Sequence, residues 1–568
     1  MELRLGELAG EPAGPGHSAP VVPPVVGSGT DGGAATPEPG AAARAGIRLG
    51  RPTIKLGKAL KWSYAMSTGG NLIQVLLTLL VAAVLGPREY GLMALAMVWV
   101  ALILVLLQFG PTFAVIQQHD VTDEHVNASF WATVIGSAGC ALLLAGTVPL
   151  WAAYNGLPEL VPLCLALTPV VILQAFNVIQ DAILRRRMQM RGIAIRVMLA
   201  NLTGGLTALG GALAGFGVWA LVAQQLIWPT AYAIMLWPIA GWRPRRGPIL
   251  APLRDLRRTS LQTYGGSLGG YLSHRVDVLL MGVFFVPEII GLWRFAQRLS
   301  EMANELTAGG LNVVSLPHLA RHGEDDSGLE RELSRLMYAA SLLTFPALGI
   351  LAGCSEAVVR FIGPQWATAA EPLRVLCLIA AATTIATILG VALAAKQRPG
   401  IPALFSWLTI PVLAAGIILS ARLSAAGSSE ARLLAIAAAT LAVQVLVAGG
   451  LGYIVYRRFL RVSPWPTVRL ALPGLASAVA AGLTGVLTYQ LVAPPLNRLL
   501  DLAVTGTAAT LVAVVALLIL DRQARTIARR AAAWGWRHVP RYATISYDRP
   551  GPPVAGDAAP GLRGGGDG

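Results

Sequence analysis

From about residue 60 to residue 521, apolar residues run in stretches of roughly 20 separated by short polar or basic turns. Fourteen such stretches can be counted: 62–85, 91–115, 126–152, 159–183, 196–216, 217–239, 261–286, 289–316, 333–357, 369–394, 401–421, 431–456, 468–493 and 499–521. Inside a bilayer every backbone N–H and C=O must find its partner within the protein, which helices of this length achieve and open strands do not. The pattern therefore predicts an all-α integral membrane protein of about 14 transmembrane helices. It breaks in the seventh and eighth stretches, where Arg275, Asp277, Arg294, Arg298, Glu301 and Glu305 interrupt sequence otherwise apolar enough to span. A charge at bilayer depth costs from a few to more than about ten kcal/mol, so such residues face a cavity, an ion path or a partner charge.

Composition agrees with the pattern: of 568 residues 55% are hydrophobic and 13% charged, and mean hydropathy is +0.62, which argues strongly against a soluble enzyme. The net charge of +15 would suit nucleic acid, but its distribution does not. With the N-terminus inside, 35 of the 44 Lys and Arg residues fall in inner segments, as basic residues retained on the cytoplasmic side should. The expectation is a multi-pass protein of the inner or plasma membrane with both termini cytoplasmic, the lipid bilayer as its medium and no nucleic-acid partner. Cys140, Cys164, Cys354 and Cys377 have no metal-ligand or disulfide spacing and read as small packing residues. No metal site and no cofactor are expected, although coupling to H+ or Na+ is allowed. His119, His125, His318 and His322 read as solvated loop residues, and Asp181 as a local ion pair with Arg185–Arg187.

The chain divides by composition into a Gly/Pro-rich extension (1–54), a first lobe of six spans (55–240), a second of six (241–460), two further spans (461–521) and a basic tail (522–568). The extension has no hydrophobic run and reads as disordered and cytoplasmic. In the tail a basic helix with Trp534 and Trp536 is expected at the membrane surface. A shift of 200 residues superposes Gly69, Gly70, Leu72, Leu79, Leu80, Pro87, Gly91, Leu92 and Ala96 on Gly269, Gly270, Leu272, Leu279, Leu280, Pro287, Gly291, Leu292 and Ala296, nine identities in 28 positions. Six spans separate the copies, so the repeat is parallel, with its axis along the membrane normal.

Helical phase organises the chemistry. Ser267, Tyr271 and His274 share one face of the seventh span, matching Ser67, Asn71 and Gln74 of the first, so both lobes present a polar stripe to a cavity. Arg275 and Asp277 flank that stripe on opposite sides and need partners elsewhere. Arg294, Arg298, Glu301 and Glu305, spaced four, three and four, share a face about 60° wide and roughly 16 Å long. Their repeat counterparts Ala94, Val98, Ala101 and Val105 are all apolar. Mutual neutralisation would explain these charges, but buried pairs are poor stabilisers, so a cavity with arginines for an anion and carboxylates for a coupling ion is the better reading.

The segments V-L-G-P-R-E-Y-G-L (84–92), W-A-L-V-A-Q-Q-L (219–226), R-V-D-V-L-L-M-G in the seventh span, G-L-W-R-F-A-Q-R-L, S-L-P-H-L-A-R (315–321) and F-I-G-P-Q-W (361–366) resemble the multidrug/oligosaccharidyl-lipid/polysaccharide flippase superfamily, nearest its Wzx-type bacterial polysaccharide exporters. The resemblance covers about residues 55–460. It implies two six-helix lobes plus two C-terminal helices, alternating access, and a lipid-linked oligosaccharide, undecaprenyl-diphosphate-linked, moved from inner to outer leaflet, with glycan polymerase or assembly proteins as partners. Val283, Phe284 and Phe285 depart from the small residues usual before Pro287, which puts the local helix packing in question. Two alternatives stand beside this one: a cation-coupled drug or metabolite antiporter of the same fold, which the basic residues disfavour, and a membrane glycan polymerase or ligase, which the short outer loops disfavour.

Overall fold

The computed structural model describes residues 73–526 except 109–121, 187–189, 246, 324, 425–426, 493–496 and 522–523. Ser67, Asn71, the 1–54 extension and the basic helix of the tail lie outside the described residues, as does the side chain of Ser267. Helices follow one another as α1 (Ile73–Val84), α2 (Pro87–Gln108), α3 (Asp123–Asn155), α4 (Leu160–Arg186), α5 (Met190–Leu213), α6 (Val218–Ala240), α7 (Leu250–Phe284), α8 (Pro287–Ala320), α9 (Asp326–Gly353), α10 (Ser355–Ile362), α11 (Ala370–Ala395), α12 (Gly400–Leu423), α13 (Ser429–Tyr453), α14 (Trp465–Val492) and α15 (Arg498–Leu520). No strand occurs among the described residues.

Each predicted stretch holds a helix. Ten are long and apolar enough to cross a membrane. The others are α1, described only from Ile73; α5, with Arg191 and Arg196; and α7 and α8, with the charges noted above. Length and apolarity alone therefore account for ten spans. Outward-facing residues of the bundle are themselves large and apolar: Leu142, Leu446 and Leu511 are each about two-thirds exposed or more. Water would penalise that surface and lipid tails do not, so the chain is a multi-pass membrane protein.

Local chemistry sets the helix ends. Pro87 and Pro287 open α2 and α8, where a missing N–H costs nothing. Asp325 and Ser428 cap α9 and α13 by accepting from the backbone N–H groups of Ser327 and Ala431. His125 is not a loop residue but completes a capping box with Thr122 at the start of α3, and His318 pairs with Glu332 at 2.7 Å. The predicted span 333–357 ends early, at Gly353, because the chain then folds into the short α10 and a 3-10 turn, Pro364–Ala369.

The repeat-related helices α2 and α8 meet near their first turns, and they meet reciprocally. A Cβ on Gly91 would lie 1.7 Å from the Pro287 carbonyl oxygen, and one on Gly291 would lie 1.8 Å from that of Pro87. Only glycine permits such backbone contact. Beside it Trp366, fully buried, donates from Nε1 to the Ala82 carbonyl of α1 at 2.9 Å and packs on Tyr90 and Phe295. These contacts close the bundle at the Pro87 end. The bulky residues before Pro287 do not disturb it, because Val283 and Phe284 face outward and Phe285 enters the core. The cysteines are free, and Cys164, Cys354 and Cys377 are buried as packing residues.

Candidate functional site

Below that closure α1, α2 and α6 on one side and α7 and α8 on the other enclose a cavity of about 360 Å³. Its first-half wall carries neutral polar groups, Gln74, Thr78, Gln224 and Gln225, and its second-half wall carries Tyr271, Arg275, Arg294 and Arg298. Tyr271 crosses between the halves, its hydroxyl donating to the Val98 carbonyl at 3.0 Å. All three predicted arginines thus reach one cavity from two helices.

All three share one carboxylate, and one of them has a second. Glu301 lies 3.7 Å from Arg275, 3.9 Å from Arg294 and 3.7 Å from Arg298, and Glu305 lies 3.2 Å from Arg298. Three of these four distances exceed hydrogen-bond length, so the pairs supply charge balance without saturating the guanidinium donors. Nη1 of Arg275 is buried with no hydrogen-bond partner, while Arg294 donates to Gln297. Such an array can still give charge-assisted hydrogen bonds to an anion, and planar guanidinium forks suit a phosphate better than a point charge would.

Asp277 and Arg275 do not pair, as their helical phase requires. Asp277 is buried and accepts from the Trp293 indole at 2.9 Å and from the Val278 N–H at 2.8 Å. With Glu301 it lines a separate cavity between α7, α8, α11 and α13. His274, expected beside Tyr271, belongs to that second cavity and not to the central one. Glu305 is about half exposed and lines neither. Asp181 accepts from the Tyr232 hydroxyl at 2.7 Å, tying α4 to α6 away from the cavity. Gln224 and Gln225 stood in the W-A-L-V-A-Q-Q-L segment but were not singled out as cavity residues, although an adjacent amide pair inside an apolar span was a visible signal. Trp366 stood at the end of the F-I-G-P-Q-W segment, but only its docking on α1 reveals its role.

Residues 80–371 match the model of a family described as polysaccharide biosynthesis protein. The chain belongs to this family. A similar relative is the succinoglycan biosynthesis transport protein ExoT of Rhizobium meliloti (strain 1021), 26% identical over 319 residues, covering 56% of this chain and 64% of ExoT. Another is the lipopolysaccharide biosynthesis protein WzxC of Escherichia coli (strain K12), 22% identical over 446 residues, covering 74% of this chain and 87% of WzxC. A third is the teichuronic acid biosynthesis protein TuaB of Bacillus subtilis (strain 168), 21% identical, covering 52% of this chain and 62% of TuaB. The chain thus spans slightly less than two thirds of ExoT and of TuaB. Among solved structures, the lipid II flippase MurJ in an inward closed conformation is similar with a TM-score of 0.62 at 12% identity, over 83% of this chain and 99% of MurJ. An inward-facing multidrug resistance MATE transporter follows at 0.56 and 14%, over 70% of this chain and 99% of the transporter. The chain has the fold of those transporters.

Proposed function

We propose that this family member is a flippase for a lipid-linked oligosaccharide, carrying an undecaprenyl-diphosphate-linked glycan from the inner to the outer leaflet of the plasma membrane by alternating access of its two halves. The observation that carries the reading is the convergence of Arg275, Arg294 and Arg298 on the central cavity, with Nη1 of Arg275 buried and without a hydrogen-bond partner. The arginines hold the diphosphate, and the facing glutamines suit the hydroxyls of the first sugars. The lipid tail stays in the bilayer. Glu301 and Glu305 hold the arginines in place, and Asp277 and Glu301 can take a proton or cation whose binding biases the halves. Both termini are cytoplasmic on the charge distribution, so the closed Pro87 end faces outward and loading is from inside. The names of ExoT, WzxC and TuaB, tied to succinoglycan, lipopolysaccharide and teichuronic acid biosynthesis, support the substrate class.

A drug antiporter on this fold would be expected to offer carboxylates to a cation, whereas here the acids that line a cavity, Asp277 and Glu301, line the second one. The test is export of surface glycan by cells carrying only Arg294→Ala or Arg298→Ala. Both variants should reach the membrane and export none, and full export by both would remove the assignment.

A further inference from the structure

The charged stripe of α8 is a wall with a cavity on each side. Opposite the central cavity lies the one of about 100 Å³ that contains Asp277 and Glu301. Next to it a cavity of about 330 Å³ between α7, α11, α12 and α13 runs to Ala394 and Pro399, at the turn bearing Lys396 and Arg398. Ser273, His274, Thr383 and Gln444 line both, so the two are continuous in their walls.

The hydroxyls along this route share one arrangement. Ser273, Thr383, Thr387, Ser406, Thr409 and Thr440 each donate to a carbonyl three or four residues earlier in the same helix, at 2.7 to 3.2 Å. A hydroxyl has one proton to give, so each shows the cavity only lone pairs. Nδ1 of His274 is 2.9 Å from the Gly270 carbonyl oxygen, which can only accept. Nδ1 therefore carries the ring proton and Nε2 remains a base at the junction. The carboxamides of Gln297, Asn304 and Gln444 add donors beside these lone pairs, so the lining can hold a hydrogen-bonded file of water along which a proton passes.

We propose that these cavities form a one-ended proton path from the Lys396–Pro399 turn to the Glu301 carboxylate, with His274 as relay. A proton from water at the mouth binds Nε2 of His274, and the imidazolium then gives a proton to Glu301, leaving neutral imidazole and a neutral carboxyl with no other bond changed. Glu301 is faced by Arg275, His274 and Asp277 from α7 and by Arg294, Arg298 and Glu305 on α8. Among the described lining residues α2, α11, α12 and α13 add no acid, base or histidine, and α9 lines neither cavity. Neutralising Glu301 frees three arginines from their shared counter-ion, so proton uptake and anion binding rise together. That consequence rests on the proposed diphosphate site; the path itself does not.

Two measurements separate them. In protein with its four cysteines replaced, Thr387→Cys and Thr383→Cys in oriented vesicles should react with an impermeant cationic methanethiosulfonate at least about tenfold faster from the side that labels Arg398→Cys. No reaction, or equal reaction from both sides, overturns the path. In purified protein, farnesyl diphosphate should bind with uptake of about one proton, read with a pH dye in stopped flow. Glu301→Gln should abolish uptake, while His274→Ala and the plugging variant Thr387→Phe should keep its stoichiometry and slow it about 100-fold. A merely structural His274 would not produce that split. Uptake surviving in Glu301→Gln, wild-type rates in both other variants, or binding that requires sodium and takes up no proton overturns the relay. If Arg294→Ala binds farnesyl diphosphate as well as wild type, the diphosphate site fails while thiol labelling still judges the path.

Discussion

Helices α2 and α8 are repeat copies, alike in their first turn and unlike in the turns beyond it. The first turns match in sequence and touch through Gly91 on Pro287 and Gly291 on Pro87, a contact that each copy makes with the other. About one to four turns later α2 shows Ala94, Val98, Ala101 and Val105, whereas α8 shows Arg294, Arg298, Glu301 and Glu305. The seal keeps its symmetry because each copy must fit the other. On the function proposed above, the cavity loses it because an anion needs charge from one wall and a neutral surface to turn against on the other.

Breaking the shared part should have the largest effect. Gly91→Leu forces a side chain into the Pro287 carbonyl, an overlap worth roughly 3 kcal/mol or more. The closed arrangement should give way, seen as a longer distance between spin labels placed at Arg88→Cys and Glu288→Cys. An unchanged distance would mean the contact is not the seal.

Breaking the asymmetric part comes next. Arg294→Ala should weaken farnesyl diphosphate by roughly 1.5–3 kcal/mol, the usual range for a hydrogen bond to a charged group, and Val98→Ala on the other copy should leave affinity unaltered. Equal losses in both would deny that the cavity is one-sided.

Smaller effects sharpen the boundary between the two parts. Trp366→Phe removes one buried hydrogen bond to Ala82, about 1 kcal/mol, and should lower the unfolding temperature in detergent without changing diphosphate affinity. A double-mutant cycle on Arg298 and Glu305, both partly exposed, should return a stability coupling of no more than about 1 kcal/mol. A larger coupling would favour neutralisation over binding as the reason for the stripe.

Helix positions were legible because a bilayer imposes length and apolarity directly on the sequence, and Pro87, Pro287 and the glycines of the repeat mark the turns. The stripe on α8 was legible for a related reason: spacing of four, three and four fixes a face whatever surrounds it. Its division between cavities was not. Arg275 shares Glu301 with two arginines of another helix, Asp277 turns to Trp293, and His274 leaves Tyr271 for a different cavity, all settled by how α7 rotates against α2, α8 and α12. Trp366 reaches Ala82 across 284 positions of chain, which no local pattern encodes.

By itself, then, the sequence determined the membrane class, the helices, the repeat and the residues whose burial demands a partner, since each is set by hydropathy and helical period along one segment. Tertiary structure alone decided which partner each charge has and which cavity it faces. Those relations depend on axial rotation and on backbone approach between helices, and a contact such as Gly91 on Pro287 exists only once both are packed.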